Sequence, residues 1–332
     1  MTETVLVTGG AGYIGSHVCV ELIDAGHELV IVDNFVNSSP DSLAAIEAAA
    51  GKRPHFIEAD VIDSERMVRL LGEHNITAVI HLAALKAVGE STEQPLRYYR
   101  NNISGLVSLL DAMEKTGVRK FVFSSSATVY GDPEQVPIPE TAPLSATNPY
   151  GWTKLMAEQI LADLANSADD WSILALRYFN PVGAHPSGKI AEAPKGKPNN
   201  LMPAVIAAAK GEAAEVLVFG GDYDTVDGTG VRDYIHVMDL ASGHVSAIDA
   251  LSSMKGFDAY NLGLGKGVSV LELIAAVEQA SGRTINFEVV DRRPGDVATS
   301  VADPTRAEKE LGWSAKYDVQ QACRDTWASQ SA

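Results

Sequence analysis

The first half of the chain alternates short apolar runs with amphipathic stretches. Residues 4–8 and 28–32 read as buried strands, and the spacing of Ile14, Val18 and Leu22 predicts a helix between them. Further apolar runs of strand length follow at residues 55–60, 78–82, 120–125 and 172–176. Near-continuous apolar strands separated by helices are typical of a parallel sheet that is covered on both faces. We therefore predict an α/β fold built on a doubly wound parallel sheet.

The helices between these strands carry ordinary boundary signals. We predict a helix at 64–74 with Ser64 as its N-cap, a long helical region at 95–116, and a helix that begins at Tyr150. After Asn180 the alternation gives way to loops rich in glycine and proline, from 181 to 203. Later elements are predicted at 201–210, 216–219, 270–281 and 285–290. We expect one domain at 1–180 and a smaller α/β domain at 181–332, with some of its segments returning to the first.

A glycine-rich turn follows the first strand directly. Gly9, Gly12 and Gly15 form a G-x-x-G-x-x-G pattern that opens the first helix, and Asp33 ends the second strand. Glycines let the backbone approach a pyrophosphate, and the helix N-terminus then offers it unpaired amide groups. An acid at this place binds a ribose diol and repels a 2′-phosphate. The unit therefore predicts a Rossmann site for NAD in preference to NADP.

Residues that could bind a ligand or take part in a reaction recur where the predicted strands end. Ligands of open parallel sheets bind beyond the carboxyl ends of the strands. The segments at those ends are Gly9, Asp33, Asp60 with Val61, Leu82 to Lys86, Ser124 to Ser126, and Tyr178 to Asn180.

Tyr150 and Lys154 stand four positions apart at the start of a predicted helix, so they share one face. A free tyrosine has a pKa of about 10, too high for a base at neutral pH. A fixed cation nearby favours the phenolate and lowers that pKa. We expect Lys154 to prime Tyr150 as a proton acceptor. The pattern is common on surface helices, and it gains weight from the nucleotide-binding unit upstream.

Composition narrows the class of function. The formal net charge of −17 argues against a nucleic-acid-binding surface. Cys19 and Cys323 form no Cys-x-x-Cys motif, so neither a disulfide framework nor a metal site is expected. The first residues have no basic leader or signal-length apolar core, and no run of about 18 apolar residues occurs. We expect a cytoplasmic protein with no membrane partner.

The combined motifs resemble the extended short-chain dehydrogenase/reductase family. They are the glycine turn, Asp33, His-Leu-Ala-Ala at 81–84, Ser-Ser-Ser-Ala-Thr-Val-Tyr-Gly at 124–131, and the Tyr150/Lys154 pair. Three later stretches, at 177–188, 198–203 and 227–237, are similar to the UDP-glucose 4-epimerases of that family. The resemblance implies that C4 of a UDP-hexose is oxidised to a ketone and reduced again on the opposite face, with NAD bound throughout.

The same resemblance assigns residues position by position. Tyr150, Lys154 and Ser126 would be catalytic. The cofactor would contact Gly9, Gly12, Tyr13, Ile14, Gly15, Asp33, Asn34, Asn37, Ser38, Asp60, Val61, Leu82, Ala83, Ala84, Lys86, Asn101, Ser126, Tyr150, Lys154 and Phe179. The UDP-sugar would contact Ser126, Tyr150, Asn180, Asn200, Leu201, Leu217, Phe219, Arg232, Arg293, Asp296 and Ser300. A homodimer through helices near 95–116 and 150–166 is also implied.

Two departures from the family pattern are informative. Ser300 stands where some members have a tyrosine that crowds the C2 substituent of the sugar, so we expect UDP-N-acetylglucosamine and its galacto epimer to be accepted as well. Trp152 and Thr153 replace the common Lys-Ser between Tyr150 and Lys154, where we expect a changed surface and unchanged chemistry.

Three alternatives remain. A nucleotide-sugar 4,6-dehydratase needs an acid and a base where Ala127 and Thr128 stand. A simple ketone reductase would require free NAD(P)H in stoichiometric amount. A regulator that senses NAD with an inactive site would tend to lose Tyr150 or Lys154, and both are present.

Overall fold

A seven-stranded parallel sheet is the centre of the fold. The structure is a computed structural model that describes residues 2–193, 200–293 and 295–331. Pro198 and Asn199 of the family motif lie outside the described residues. The strands are β1 (Thr4–Thr8), β2 (Glu28–Asp33), β3 (His55–Glu58), β4 (Ala78–His81), β5 (Lys120–Ser126), β6 (Ser172–Tyr178), β7 (Asn180–Val182), β8 (Val216–Phe219), β9 (Val231–His236), β10 (Gly256–Leu262), β11 (Gly267–Ser269), β12 (Phe287–Val290) and β13 (Thr299–Ser300).

Helices alternate with these strands through most of the chain. They are α1 (Tyr13–Asp24), α2 (Asp41–Ala50), α3 (Ser64–Glu73), α4 (Val88–Glu93), α5 (Pro95–Tyr98), α6 (Gly105–Thr116), α7 (Pro149–Ser167), α8 (Leu201–Ala209), α9 (Val237–Ala250), α10 (Val270–Ser281), α11 (Thr305–Glu310) and α12 (Val319–Ala328). A π-helical segment (Tyr99–Ser104) joins α5 to α6, and short 3₁₀ turns lie at Ala127–Val129 and Ser329–Ser331.

The order of strands in the main sheet is β10-β6-β5-β4-β1-β2-β3. All neighbours in it are parallel. Apolar residues of α1 and α9, such as Val18 and Leu240, fill one face, and Leu109 of α6 and Leu161 of α7 fill the other. Because strand side chains alternate, each strand contributes to both cores. The prediction of a doubly wound Rossmann sheet is confirmed.

The second half of the chain was predicted less completely. Strand β10 completes the edge of the main sheet beside β6, yet its sequence mixes polar and apolar positions. Two of those polar side chains are paired within the fold, since Asp258 binds Arg306 and Asn261 accepts a hydrogen bond from Tyr130. Local periodicity cannot reveal such pairing, and the strand was missed for that reason.

The remaining elements of the second half form a separate layer. Strand β9 pairs with β7, β11 and β13, and β8 pairs with β12 in a two-stranded sheet. Apolar side chains of α8, α10 and α12 make a third core with β8 and β9. These short strands place several loop ends opposite the carboxyl edge of the main sheet.

Several predicted boundaries differ from the structure. Asp63 caps α3 through its side chain, which accepts a hydrogen bond from the Arg66 amide, so the assignment of Ser64 as N-cap was wrong. The helical region at 95–116 contains the π segment, and the helix predicted from Tyr150 begins at Pro149 with Asn148 as its cap. Helices α2, α4, α9, α11 and α12 were not predicted.

Candidate active site

At the glycine turn after β1, the backbone passes close to other main-chain atoms. Gly9 has a φ of +74° and donates its amide to the Val32 carbonyl at 2.8 Å. A side chain at Gly9 would lie 2.7 Å from the Ala83 nitrogen, and one at Gly15 would collide with the Gly9 carbonyl oxygen. Gly12 caps α1 without a side-chain hydrogen bond. The first-turn amides of α1 are therefore left for an anion.

Asp33 is held in place at the end of β2 by hydrogen bonds on both carboxylate oxygens. Oδ2 accepts from the Ala11 amide at 3.1 Å, and Oδ1 accepts from the Phe35 amide at 2.9 Å and from the Ser38 hydroxyl at 2.7 Å. The residue is 8% exposed. This network orients a negative group beside the glycine turn, where it can accept from a diol.

Most of the predicted cofactor residues line one cleft. The cleft has a volume of ≈ 1680 Å³ and runs along the carboxyl edge of the sheet. Its lining includes Gly9, Gly12, Tyr13, Ile14, Gly15, Asp33, Asn34, Asn37, Ser38, Asp60, Val61, Leu82, Ala83, Ala84, Lys86, Asn101, Tyr150 and Lys154. Two predicted cofactor residues, Ser126 and Phe179, lie outside this lining. Phe179 is 4% exposed and packs with Val129 and Tyr130 in a small core of its own.

Tyr150 and Lys154 lie close together in the lining of the cleft. Asn148 accepts a hydrogen bond from the Gly151 amide at 2.9 Å and so fixes the start of α7. The Lys154 ammonium donates to the Ser124 carbonyl at 2.5 Å and lies 5.9 Å from the centre of the Tyr150 ring. Lys154 is 4% exposed and lies 4.9 Å from the ring centre of Phe123.

Burial shifts the pKa values of both groups toward their neutral forms. Burial lowers the pKa of Lys154 to about 7, against the opposing charge of Glu158. Burial raises the pKa of Tyr150 to about 12, against a hydrogen bond from Ser126. In the polypeptide alone the pKa of Tyr150 is therefore raised, because desolvation outweighs the Ser126 hydrogen bond. The lowering that the family resemblance implies involves Lys154 together with a positive nicotinamide ring, and it stays a prediction. A further positive charge is needed in the cleft before Tyr150 can act as a base near neutral pH.

Ser126 ends β5 next to this pair. Its hydroxyl is within hydrogen-bonding reach of the Tyr150 phenol and also accepts from the Thr128 amide at 3.3 Å. Its strand neighbour Ser125 donates to Glu158 at 2.5 Å. Ser126 is therefore the serine of the triplet that shares a contact with the tyrosine.

Sequence analysis overlooked two acidic residues that organise the site. Glu158 follows Lys154 by four positions on α7, a spacing that could have revealed it, and it forms a buried ion pair with Arg177 at 2.7 Å. Glu192 accepts from Asn200 at 2.8 Å and lies 3.4 Å from the Lys86 ammonium. No local signal marks Glu192, because Lys86 lies 106 positions away and Asn200 follows eight positions later without a regular element that would predict the contact.

Three of the predicted substrate residues meet on the sheet around β9. Asn180 of β7 pairs with Tyr234, and Ser300 of β13 pairs with Arg232. The Arg232 guanidinium donates to the Val231 carbonyl at 2.9 Å. Asn180 and Ser300, which are 120 positions apart in sequence, thereby lie on two strands that both pair with β9. Asn200 and Leu201 start α8, and Asn200 also lines the cleft.

A second group of substrate residues lies on the two-stranded sheet. The Arg293 guanidinium stacks over the Phe219 ring at 3.7 Å from its centre. Leu217 is two positions before Phe219 on β8 and is 42% exposed. The Asp296 amide donates to the Arg293 carbonyl at 3.2 Å. These residues lie outside the lining of the cleft and form an exposed cationic and aromatic surface.

The Rossmann fold and the tyrosine–lysine pair in the cleft place this protein in the class of the short-chain dehydrogenases/reductases. A family model described as GDP-mannose 4,6 dehydratase matches residues 6–326. A UDP-glucose 4-epimerase of Bacillus subtilis is 57% identical over 99% of this chain and 97% of its own, and one of Dictyostelium discoideum is 56% identical over 99% and 96%.

Solved structures agree with these relatives. A UDP-glucose 4-epimerase of Stenotrophomonas maltophila, with bound NAD and formylated UDP-arabinopyranose, has a TM-score of 0.97 and 54% identity, covering 99% of this chain and 98% of its own. One of Bifidobacterium longum, in complex with NAD+ and UDP, has a TM-score of 0.96 and 51% identity, covering 98% of each chain. The chain belongs to the family that the model describes and, within it, to the UDP-glucose 4-epimerases.

Proposed function

We propose that this protein interconverts UDP-glucose and UDP-galactose by inverting C4 of the sugar, with NAD held tightly in the cleft. The observation that carries this proposal is that the partly buried Tyr150 and the buried Lys154 line the same cleft as the glycine turn. A base beside a dinucleotide site fits oxidation of a hydroxyl group. The family relationship supports a nucleotide-bound hexose as the substrate.

The residues of the cleft fit NAD. First-turn amides of α1 have no side-chain cap, as a pyrophosphate requires, and the Asp33 carboxylate is held by three donors beside them. Asp33 favours a ribose diol over a 2′-phosphate. When held by these residues, NAD+ would supply the oxidising and reducing capacity for C4 and a positive charge that would favour the phenolate form of Tyr150.

The side chains of this chain would divide the remaining work. Tyr150 would remove the proton of the C4 hydroxyl and later return one to the C4 oxygen when the ketone is reduced. Ser126 hydrogen-bonds the phenol and the sugar hydroxyl, and Lys154 orients the nucleotide ribose from its anchor on the Ser124 carbonyl. A planar 4-keto sugar must rotate before it is reduced on the other face, so it cannot be held too rigidly. The residues on either side of the sugar would permit that rotation.

The UDP moiety would bind to the second half of the molecule. Guanidinium groups form strong bidentate bonds with phosphate oxygens, which suits Arg232 and Arg293. Phe219 supplies a ring that already stacks on Arg293. We propose residues 1–180 as the NAD-binding domain and 181–332 as the UDP-sugar-binding domain, with β10 and α9 returning to the first.

A dehydratase is the second candidate, because the matching family model carries that description. Elimination of water needs an acid and a base close to the sugar. The positions after Ser126 are Ala127, which has no proton to transfer, and Thr128, whose hydroxyl titrates far outside the neutral range. Epimerisation needs only the groups that are present, so we favour it.

A direct assay tests the proposal. Purified protein should convert UDP-galactose to UDP-glucose without added nucleotide, and its absorbance spectrum should show bound nicotinamide. A requirement for stoichiometric NAD(P)H would support a simple reductase instead. Formation of a 4-keto-6-deoxy sugar would support the dehydratase. Absence of bound nicotinamide and of any turnover would leave the inactive regulator and overturn the proposal.

We further propose that the sugar site accepts N-acetylhexosamines. Ser300 is a small residue on β13, and its strand partner is Arg232. Wild-type protein should epimerise UDP-N-acetylglucosamine, and Ser300→Tyr should lose this activity while it retains UDP-glucose. Ser300→Ala is the matched control and should keep both. If neither wild type nor Ser300→Ala acts on the N-acetyl sugar, this part of the proposal fails.

We also propose a cytoplasmic homodimer. Four large apolar side chains are exposed on α5, α6 and α7: Leu96, Val107, Trp152 and Met156. The exposed fraction of Leu96 is 74%. Within the described residues, no helix is long and apolar enough to cross a membrane. Sedimentation of wild type and Leu96→Glu should give a dimer and a weakened dimer, and a monomeric wild type would contradict the assembly.

A further inference from the structure

The main chain of Tyr150 is held on both sides by buried hydroxyl groups. Its amide donates to the Ser91 hydroxyl at 3.2 Å, and its carbonyl accepts from the Thr153 hydroxyl at 2.7 Å. Ser91 is 0% exposed and Thr153 is 1% exposed. Solvent therefore does not compete for either hydroxyl group, and each hydrogen bond is electrostatically stronger than it would be in water.

Ser91 supplies what the helix itself does not. The first amides of an α-helix have no partner within the helix. The cap residue of α7, Asn148, uses its side chain for the Gly151 amide, which leaves the Tyr150 amide in need of an acceptor. Ser91 provides that acceptor from α4, while its own proton goes to the Val88 carbonyl at 2.6 Å. A neighbouring helix thus completes the cap at the residue that carries the phenol.

Thr153 connects the carbonyl of the same residue, Tyr150, to the wall of the cleft. Its hydroxyl accepts from the Asn102 side chain at 3.0 Å. Asn102 lies in the π-helical segment and exchanges hydrogen bonds with the Leu85 amide at 2.9 Å and the Leu85 carbonyl at 3.0 Å. Leu85 belongs to the cleft-lining loop after β4. π-helical turns often occur at functional sites, because they redirect a side chain.

We propose that Ser91 and Thr153 are positioning residues that fix where the main chain of Tyr150 lies relative to the cleft. Asn102 links Thr153 to the loop after β4, so the position of that loop also affects Tyr150. The proposal rests on the function proposed above, in which Tyr150 transfers the C4 proton. It also explains why Thr153 is buried, contrary to the expectation of a changed surface at this position. Trp152 does lie at the surface, with an exposed fraction of 42%.

A pair of substitutions at Thr153 separates the hydroxyl from the shape of the side chain. Thr153→Val is isosteric and lacks the hydroxyl, whereas Thr153→Ser retains it. Misplacement of a catalytic group by a fraction of an ångström lowers kcat, so Thr153→Val should reduce kcat about tenfold and leave KM for UDP-galactose within about twofold. Thr153→Ser should restore kcat to within about twofold of wild type.

Controls identify a merely structural effect. Thr116→Val removes a hydroxyl that donates to the Ala112 carbonyl at 2.8 Å on α6, away from the cleft. It should lower the melting temperature without changing kcat. Bound nicotinamide, measured by absorbance after gel filtration, should remain equal in wild type and both Thr153 variants. This second readout does not depend on turnover.

Ser91 is tested by amide hydrogen exchange on the holoprotein. Ser91→Ala should accelerate exchange of the Tyr150 amide by at least about tenfold, because its acceptor is lost. Ser172→Ala is the control, since that buried hydroxyl donates to the Met254 carbonyl at 2.7 Å at the other end of the strands. It should leave exchange at Tyr150 unchanged.

The outcomes are distinguishable. Wild-type kcat in Thr153→Val, equal loss in Thr153→Ser, or unchanged exchange in Ser91→Ala would overturn the positioning role, while wild-type epimerisation would still support the proposed function. A wild-type protein without epimerase activity would instead overturn the proposed function. In that case, the exchange measurement still decides whether Ser91 caps the Tyr150 amide.

Discussion

The two halves of the site differ in how their side chains are held. Around Tyr150 and Lys154, buried hydrogen bonds satisfy the main chain of the tyrosine and the ammonium group of the lysine. Around Arg293 and Phe219, the described contacts are a stack at 3.7 Å and a few backbone bonds on short strands. Proton transfer requires accurately placed donor and acceptor groups, whereas arginine side chains can move toward an anion when it binds. The difference suggests that the chemical half is preorganised and that the nucleotide-sugar half is completed by its ligand.

The largest expected effect comes from removing the phenol oxygen. Tyr150→Phe keeps the aromatic ring in the cleft and removes the phenol oxygen that accepts the proton. We therefore expect kcat to fall by about 10³-fold or more. KM and bound nicotinamide should change little, because the rigid half keeps its shape. Steady-state kinetics and the absorbance spectrum measure this. Full activity in the variant would mean that another group is the base.

Arg293→Gln tests the other half. Loss of a charge-assisted bond to phosphate is worth about 1.5–3 kcal/mol, which corresponds to an increase in KM of roughly tenfold or more with kcat nearly unchanged.

The neighbouring arginine is a matched control for this substitution. Arg292 also stacks on an aromatic ring, Tyr223 at 4.1 Å, yet it is paired with Asp222 at 2.6 Å. Arg292→Gln should leave KM almost unchanged. Equal effects of the two substitutions would remove the special role of Arg293.

Asp33→Asn should weaken nucleotide binding by about tenfold and relax the preference for NAD over NADP, since the negative charge that rejects a 2′-phosphate is gone. The substitution removes the charge and leaves the side chain close to its original size. Titration of nucleotide-free protein with NAD and NADP measures both constants. An unchanged ratio of the two would contradict the proposed role of the carboxylate.

The last effect concerns folding stability and not activity: Lys154 should make the stability of the protein depend on pH. Its pKa is lowered to about 7 in the folded protein from 10.5, so between these pH values the unfolded chain binds the proton more tightly. Stability from this group therefore rises with pH across that window, by up to about 1.4 kcal/mol per pH unit. Lys154→Met removes this dependence. Denaturant unfolding of nucleotide-free protein should show a larger gain in the variant at pH 7 than at pH 9.5, and an equal gain would contradict the shifted pKa.

The fold was likewise easier to predict from the sequence in the first half of the chain than in the second. Periodicity gave the strands β1 to β6 and most of their helices, because residues buried on both faces of a parallel sheet form unbroken apolar runs. Strand β10 and the helix α9 were missed. The polar side chains of β10 are satisfied by partners such as Arg306, which lies 48 positions beyond Asp258.

The sequence by itself determined the glycine turn, the acid at the end of β2 and the tyrosine–lysine pair, because each depends on spacing within one strand–helix unit. Only the tertiary structure decided the ionisation of that pair, since desolvation depends on everything packed around it. It also decided that Ser91 and Thr153 bond to the main chain of Tyr150, that Asn102 bonds to Thr153, and that Glu192 lies between Lys86 and Asn200. Contacts between residues far apart in the chain follow from how the elements pack, and no local pattern records them.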